Sequence, residues 1–482
     1  MNFCTHSFVL IFLPLFFVVY FYTYKFKGLR ASKYALLLFS FCFYLFSSVP
    51  AFFILLIECI ATYLIADISC KHNSKLALGM LISLQVGVLI IFKYLNFFIE
   101  TINTIIPTSV STLNIIVPLG ISFFTFQQIA YSVDVYRGEI EKRNFLDYLC
   151  FSFLFITISS GPIIYYNEII PQLNDEKNHS VNYENMYRGL LLFLVGLCKK
   201  VLVANVFSNA VTAGYDNIFL YSTVSAFILS LCYTFQIYFD FSGYCDMGLG
   251  IAKMMNLSLP LNFNSPYKSY NIAEFWDRWH ITLTRFFTKY IYIPLGGSRK
   301  GTVRTYFNIF LIFFISGLWH GADKKFIIWG ILHGMAMIAY RFAKKYIDKW
   351  HPAFNWIITF SFVNTAWIYF GAPTTALANT IVSKLIKYQE GGIHETLARA
   401  FILKEVDFAA TLMNFDIMNI CPNAMLLIYI VIAFFVILCC RNSVEYVNQS
   451  EITLPVAICI VLFGFWAICS MTGTITFVYQ YF

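Results

Sequence analysis

Long apolar runs, each ended by a short polar stretch, follow one another along almost the whole chain. A helix that crosses a bilayer needs about 20 mostly apolar residues. The pattern predicts such segments at roughly 7–24, 34–48, 50–67, 76–98, 117–135, 148–166, 187–208, 222–240, 306–322, 325–343, 354–371, 424–440 and 453–471. Backbone inside lipid must satisfy its own polar groups, so spanning segments are helices or closed barrels. These runs are too continuous for the short alternating strands of a barrel. The predicted fold is all-α and polytopic, with about 11–13 membrane helices. Segments interrupted by Gly or Pro are expected to be re-entrant or tilted, and buried in protein.

The pattern changes between 240 and 305, where Asp240, Asp246, Lys253, Lys268, Glu274, Asp277, Arg278, His280, Arg285 and Lys289 crowd together. Each charge facing lipid would cost about 2.5–3.5 kcal/mol at a helix centre. Amphipathic helices near the cytoplasmic face, or short helices folded inward, are therefore expected there. Residues 387–423 read as a polar loop with a short helix. Basic residues mark alternate loops: Lys25, Lys27, Arg30 and Lys33, then Lys71 and Lys75, then Arg137, Lys142 and Arg143. The turns between them carry none. This places the N-terminus outside, on a membrane anchor rather than a cleaved signal, while Arg441 places the loop at 441–452 inside and so the C-terminal tail on the extracytoplasmic side.

Composition agrees. Of 482 residues, 59% are hydrophobic and only 12% charged, about half the charged share of a soluble domain. The net charge of +8 reflects cytoplasmic loops, not a nucleic-acid footprint. The 13 cysteines include no C-x-x-C pair and read as small apolar side chains.

Several residues stand out chemically. His320 ends a greasy run in SGLWHGA (316–322). Spacing alone leaves it either a satisfied structural imidazole or a functional one. His280 lies in AEFWDRWHITLTRFF, where Glu274 with Arg278, and Trp276 with His280, are spaced to share faces of one helix. An interfacial amphipathic helix is the plainer reading. His333, between Gly330 and Gly334, suggests a close helix contact. The gaps between the three histidines match no compact metal-ligand motif, and no metal site is predicted. The loop IPLGGSRKGTVR (293–304) combines three glycines with Arg299, Lys300 and Arg304. It suits a phosphate-bearing ligand or is an ordinary positive-inside loop. Asp240 and Asp246 lie among Ser242, Gly243, Gly248 and Gly250, which permit close helix packing. The two carboxylates would line a polar tunnel or pair with Arg278 or Arg285.

Together the stretches 117–139, 235–301 and 316–334 resemble the membrane-bound O-acyltransferase family, in its bacterial alginate O-acetyltransferase-like branch. The resemblance implies a funnel-shaped helical fold around a central tunnel, with N-terminal helices over 1–114, a catalytic core over 115–345, and C-terminal helices with the tail over 346–482. The family's two signature histidines map onto His280 and His320. Trp279, Trp319, Arg278, Asp240, Asp246 and the basic loop residues become candidates for binding the acyl donor. The implied activity is transfer of an acetyl group from cytoplasmic acetyl-CoA to an extracytoplasmic polysaccharide, peptidoglycan or an alginate-like polymer. It implies the bacterial cytoplasmic membrane, surrounding lipids, a separate SGNH-type transferase as partner, and no bound cofactor. A His within hydrogen-bond reach of the acceptor hydroxyl would act as general base. Apolar walls would keep water from the thioester. Tyr479, in Phe477-Val478-Tyr479-Gln480, falls near the position of a C-terminal tyrosine acyl carrier in related systems, but Gln480 departs from the expected aromatic. Gly371 stands where this branch often carries Arg. The rivals are D-alanyl transfer to teichoic acid from a carrier protein, and a proton-relay transporter built on Asp240, Asp246, Glu274 and His320. The latter is weakened because no matching pair of broken helices recurs in two halves.

Overall fold

The computed structural model describes every residue except 1, 107–109, 114, 116, 159–160, 414–422, 450 and 472–482. Helices make up 77% of it, with no strand among the described residues. Seven helices there are long and apolar enough to cross a membrane: Phe8–Lys27, Val49–Lys71, Lys75–Ile105, Tyr183–Leu220, Thr223–Met254, Thr302–His320 and Lys324–Ile347. The helices Leu29–Leu45, Pro352–Gly371, Ala424–Cys439 and Leu454–Cys469 also fall on predicted runs. The protein is therefore an all-α, multi-pass membrane protein.

Thr223–Met254 is the central column. It has 32 residues, and 89% of its most apolar stretch is buried. At 1.5 Å per residue it is about 48 Å long, so residues 241–254 continue the helix into what the sequence marks as the polar middle. Its partner is Tyr183–Leu220. Gly189 and Gly196 face Gly250 and Gly243. A Cβ on Gly196 would lie 2.5 Å from the Gly243 carbonyl oxygen, and one on Gly189 2.6 Å from that of Gly250. The small residues near Asp240 thus do pack two helices backbone to backbone. Gly248 instead faces Ile156.

One predicted span is absent. Within 148–166 the helix Phe145–Ser152 stops, and the described residues 153–158 and 161–165 are not helical. Gly161 is pressed against residue 157, with a Cβ position 2.6 Å from the Thr157 Cα, and Pro162 has no N–H to offer a helix. The segment is buried, so side chains serve its backbone: Ser40 Oγ accepts from Phe155 N–H at 3.4 Å, and Thr282 Oγ1 from Ile163 N–H at 3.0 Å. Irregular backbone at membrane depth is tolerated where protein covers it.

The polar middle folds as short helices, Ile272–Arg278 and Ile281–Phe287, as expected. The insertion after 387 carries Glu395–Arg399 and Lys404–Leu412. The twelve described cysteines are free thiols, and Cys439, Cys459 and Cys469 face outward rather than into the core.

Candidate functional site

The Thr302–His320 helix starts where the glycine loop ends. Gly296, Gly297 and Gly301 have φ of 103°, 55° and 85°, left-handed values that favour glycine. Arg299, Lys300 and Arg304 are exposed on this loop and the first helical turn. The helix ends at His320, and Gly321 is extended. The chain then turns at once into Lys324–Ile347, where Asp323 Oδ1 caps the Lys325 N–H at 3.0 Å.

The small residues of SGLWHGA are set by this turn. A Cβ on Gly321 would lie 2.2 Å from the Phe326 ring, and one on Gly317 2.4 Å from the Phe326 carbonyl. Gly330 answers Gly317 across the helix pair, with a Cβ position 2.4 Å from the Phe313 carbonyl. The close contact read around His333 is therefore present, and it draws His320 and His333 toward one another.

Both imidazoles sit among aromatic rings. His320, 2% exposed, packs edge-on against Trp329 at 5.1 Å and Phe370 at 4.9 Å, and beside Trp319 at 4.7 Å. His333 is also in contact with Trp329, at 4.9 Å. His280 lies 6.4 Å from Trp319 and edge-on to Phe241 at 5.0 Å. Histidines and tryptophans thus alternate, His280–Trp319–His320–Trp329–His333. The Trp276 indole N–H donates to His333 Nδ1 at 3.2 Å. Since indole only donates, Nδ1 carries no proton and the ring's hydrogen is on Nε2. Among the described residues no three His, Cys, Asp or Glu side chains gather as metal ligands do.

His280 departs from the expected helix geometry. The helix ends at Arg278, and His280 itself has φ 46° and ψ 50°, a left-handed conformation rare outside glycine. Trp276 and His280 therefore do not share a helix face. The kink is held by a short antiparallel pairing: Asn264 N–H donates to the Arg278 carbonyl at 2.9 Å, and Ile281 N–H to that of Asn262 at 3.0 Å. Asn262 Oδ1 also accepts from Thr282 Oγ1 at 2.6 Å. Burial pushes the His280 imidazole down to about 3, so it is neutral. Strained backbone at a buried polar side chain is common where geometry serves function.

The other candidates fall outside this cluster. Trp279 is buried against Phe263 and Trp367. Arg278 pairs with Glu274 at 2.9 Å, as the i,i+4 spacing implies. Asp240 and Asp246 pair with neither Arg278 nor Arg285. Asp240 pairs with Lys200, and Asp246 with Lys199 at 2.6 Å, with Ser443 Oγ donating to the same carboxylate at 2.6 Å. Arg285 is engaged by Glu168. The sequence signal for the true partners is the Lys199-Lys200 doublet inside GLCKKVLVA. A π-helical turn over Lys199–Ala204 sets these lysines in the central helix pair. Gly371 has no room for a longer residue, since its Cβ position lies 2.5 Å from the Tyr233 ring. Tyr479 lies outside the described residues.

A cavity of about 280 Å³ opens beside Ser298 of the loop, and its lining includes none of the three histidines. Tyr292, Ser298 and Arg341 line it together with Trp276, Phe313 and Ser316. Trp276 holds His333, and Ser316 is one turn before His320.

Fold and site together define a polytopic helical membrane protein with imidazoles buried among aromatic rings. The chain belongs to the MBOAT, membrane-bound O-acyltransferase family, whose profile matches residues 39–378. It is an acyltransferase. It is 38% identical over 418 residues to the peptidoglycan O-acetyltransferase of Helicobacter pylori, covering 80% of this chain and 79% of that one. It is 35% identical over 394 residues to the probable alginate O-acetylase AlgI of Pseudomonas aeruginosa, covering 78% and 73%. Teichoic acid D-alanyltransferase of Bacillus subtilis is 28% identical over 277 residues, covering 54% and 70%.

Proposed function

We propose that the protein transfers an acetyl group from cytoplasmic acetyl-CoA for O-acetylation of an extracytoplasmic polysaccharide, with peptidoglycan or an alginate-like polymer as acceptor. The observation that carries this reading is His320, enclosed by Trp319, Trp329 and Phe370 at the end of a helix whose other end bears the basic loop. The two relatives named for O-acetylation match about four-fifths of the chain, against 54% for the D-alanyltransferase, which favours acetyl over D-alanyl.

In the proposed step His320 accepts the proton of an acceptor hydroxyl as its oxygen attacks the acetyl carbonyl. The C–S bond of the thioester breaks, and His320 returns the proton to the leaving thiolate. An ester and the free thiol of CoA result. The ring wall excludes water that would hydrolyse the thioester. His280, neutral and held off the helix axis, orients the carbonyl. Arg299, Lys300 and Arg304 receive the donor's phosphates, and the cavity at Ser298 and Trp276 supports a path from that loop toward the histidines. Tyr479 would serve as an intermediate acceptor, passing the acetyl group to an SGNH-type partner that completes transfer. The setting is the bacterial cytoplasmic membrane.

His320→Ala decides the mechanism. It should purify as a folded protein yet lose polymer acetylation by about a hundredfold or more, the usual span of a general base. Wild-type acetyl content in the polymer would refute the role. Donor binding is tested separately in Arg299→Ala/Lys300→Ala, expected to raise the KM for acetyl-CoA several-fold with little change in kcat. An unaltered KM would remove the loop from the donor site.

A further inference from the structure

A lysine far from the family motifs reaches the end of the His320 helix. Lys93 lies in Lys75–Ile105, inside an apolar stretch, where a π-helical turn spans Ile90–Tyr94. Such turns insert an extra residue and recur at functional positions. Lys93 Nζ donates to the Trp319 carbonyl at 2.5 Å, and the next residue, Tyr94, donates its hydroxyl to the Leu318 carbonyl at 2.5 Å. Consecutive donors thus meet consecutive acceptors.

Those acceptors lie immediately before His320. The last four carbonyls of a helix have no partner within it, and the helix dipole places partial negative charge there. An ammonium group at that end answers both needs. Lys93 also donates to Ser122 Oγ at 3.0 Å and lies 5.5 Å from the centre of the Trp319 ring. Ser122 opens the helix that carries Phe123, 6.0 Å from His280, and Phe126, stacked on Trp319 at 5.0 Å. Lys93 therefore joins three helices at the place where the two histidines share Trp319.

We propose that Lys93, assisted by Tyr94, is a positioning residue for acyl transfer: it clamps the C-terminal carbonyls of the Thr302–His320 helix and so fixes the imidazole of His320. This rests on His320 being the reacting base. A lysine in an apolar helix is costly in lipid unless it has a partner or reaches water. Here Nζ points inward to a backbone carbonyl, so its N–H groups serve the helix end.

The test compares Lys93→Met, Lys93→Arg and Tyr94→Phe in the full-length protein with acetyl-CoA as donor. Misplacement of a catalytic group by about 1 Å lowers rates by about a hundredfold. Lys93→Met should lower kcat by that order with the acetyl-CoA KM within twofold. Lys93→Arg should recover part of the loss, and Tyr94→Phe should lose about tenfold or less. In a His320→Ala background Lys93→Met should cause no further loss, as expected for residues acting through one group. Backbone amide exchange over 316–321 should accelerate in Lys93→Met. Full kcat in Lys93→Met, a further drop in the His320→Ala background, or unchanged exchange over 316–321 would each overturn the clamp. Should Lys93→Met fail to fold, Tyr94→Phe and Lys93→Arg decide by the same readouts. A fully active His320→Ala would remove the base reading, while the exchange result would still decide whether Lys93 holds the helix end.

Discussion

Two polar regions lie inside this membrane protein, and they are built on opposite principles. Along the central helix pair, Lys199 meets Asp246 and Lys200 meets Asp240. Opposite charges there are matched one to one, beneath a glycine seam that brings the backbones together. Around His320 the polar groups are imidazoles, and their walls are tryptophan and phenylalanine rings. Charge-paired lysines and carboxylates are held in place by each other and are poorly suited to exchanging protons. Imidazoles in a ring-lined pocket keep nitrogen atoms that can take and return a proton. Under the proposed function, the first region belongs to the architecture and the second to the chemistry. The pairing also weakens a proton relay through Asp240 and Asp246.

That division can be broken by experiment. The largest contrast is between His320→Ala, which should abolish acetylation without lowering stability, and Lys200→Met, which should do the reverse. Removing one partner of a buried ion pair costs about 3–5 kcal/mol. Lys200→Met should therefore lower the unfolding temperature in detergent, with activity per folded molecule retained. A stable but inactive Lys200→Met would place the lysine in the chemistry and dissolve the distinction.

A smaller effect is expected from Gly317→Ala. The added methyl group meets the Phe326 carbonyl, so the two helices must separate and His320 shifts with them. Activity should fall roughly ten- to hundredfold, measured as polymer acetylation per folded protein. Unchanged activity would mean that the helix contact does not fix the imidazole.

The smallest concerns pH. Burial lowers the folded His280 imidazole to about 3, against about 6.5 for an unfolded imidazole. Between those values the unfolded chain binds the extra proton, so stability falls as pH drops through that window. Above it the contribution is complete. His280→Gln should flatten this part of the stability profile, read by thermal unfolding at a series of pH values. An identical slope in the variant would show that His280 is not the group responsible.

Much of the site was legible because its signals are local. His320, His333 and their glycines stand in two neighbouring segments whose spacing already marks a close helix pair. The three loop glycines at 296, 297 and 301 needed only their own backbone angles. Asp240 and Asp246 do not meet Arg278 or Arg285, because their lysines come from an earlier helix whose π-helical turn alters the face they present. The helix expected across His280 failed for a related reason. Asn262 and Asn264, distant from it by a loop, capture the backbone at 278–281 and impose a left-handed residue that no local propensity favours. Lys93 is a single charge in an apolar run, and no local signal names its partner.

The amino-acid sequence by itself determined the membrane class, the helical fold, most of the spans and the family, because hydrophobic length and long ordered motifs are properties of the chain read in one dimension. Only the tertiary structure decided which charge meets which. It ended a predicted span at Ser152, interleaved histidines with tryptophans, and brought Lys93 to the carbonyls before His320. Those outcomes depend on contacts between residues tens to hundreds of positions apart, and the burial that makes each contact matter exists only once the helices have packed.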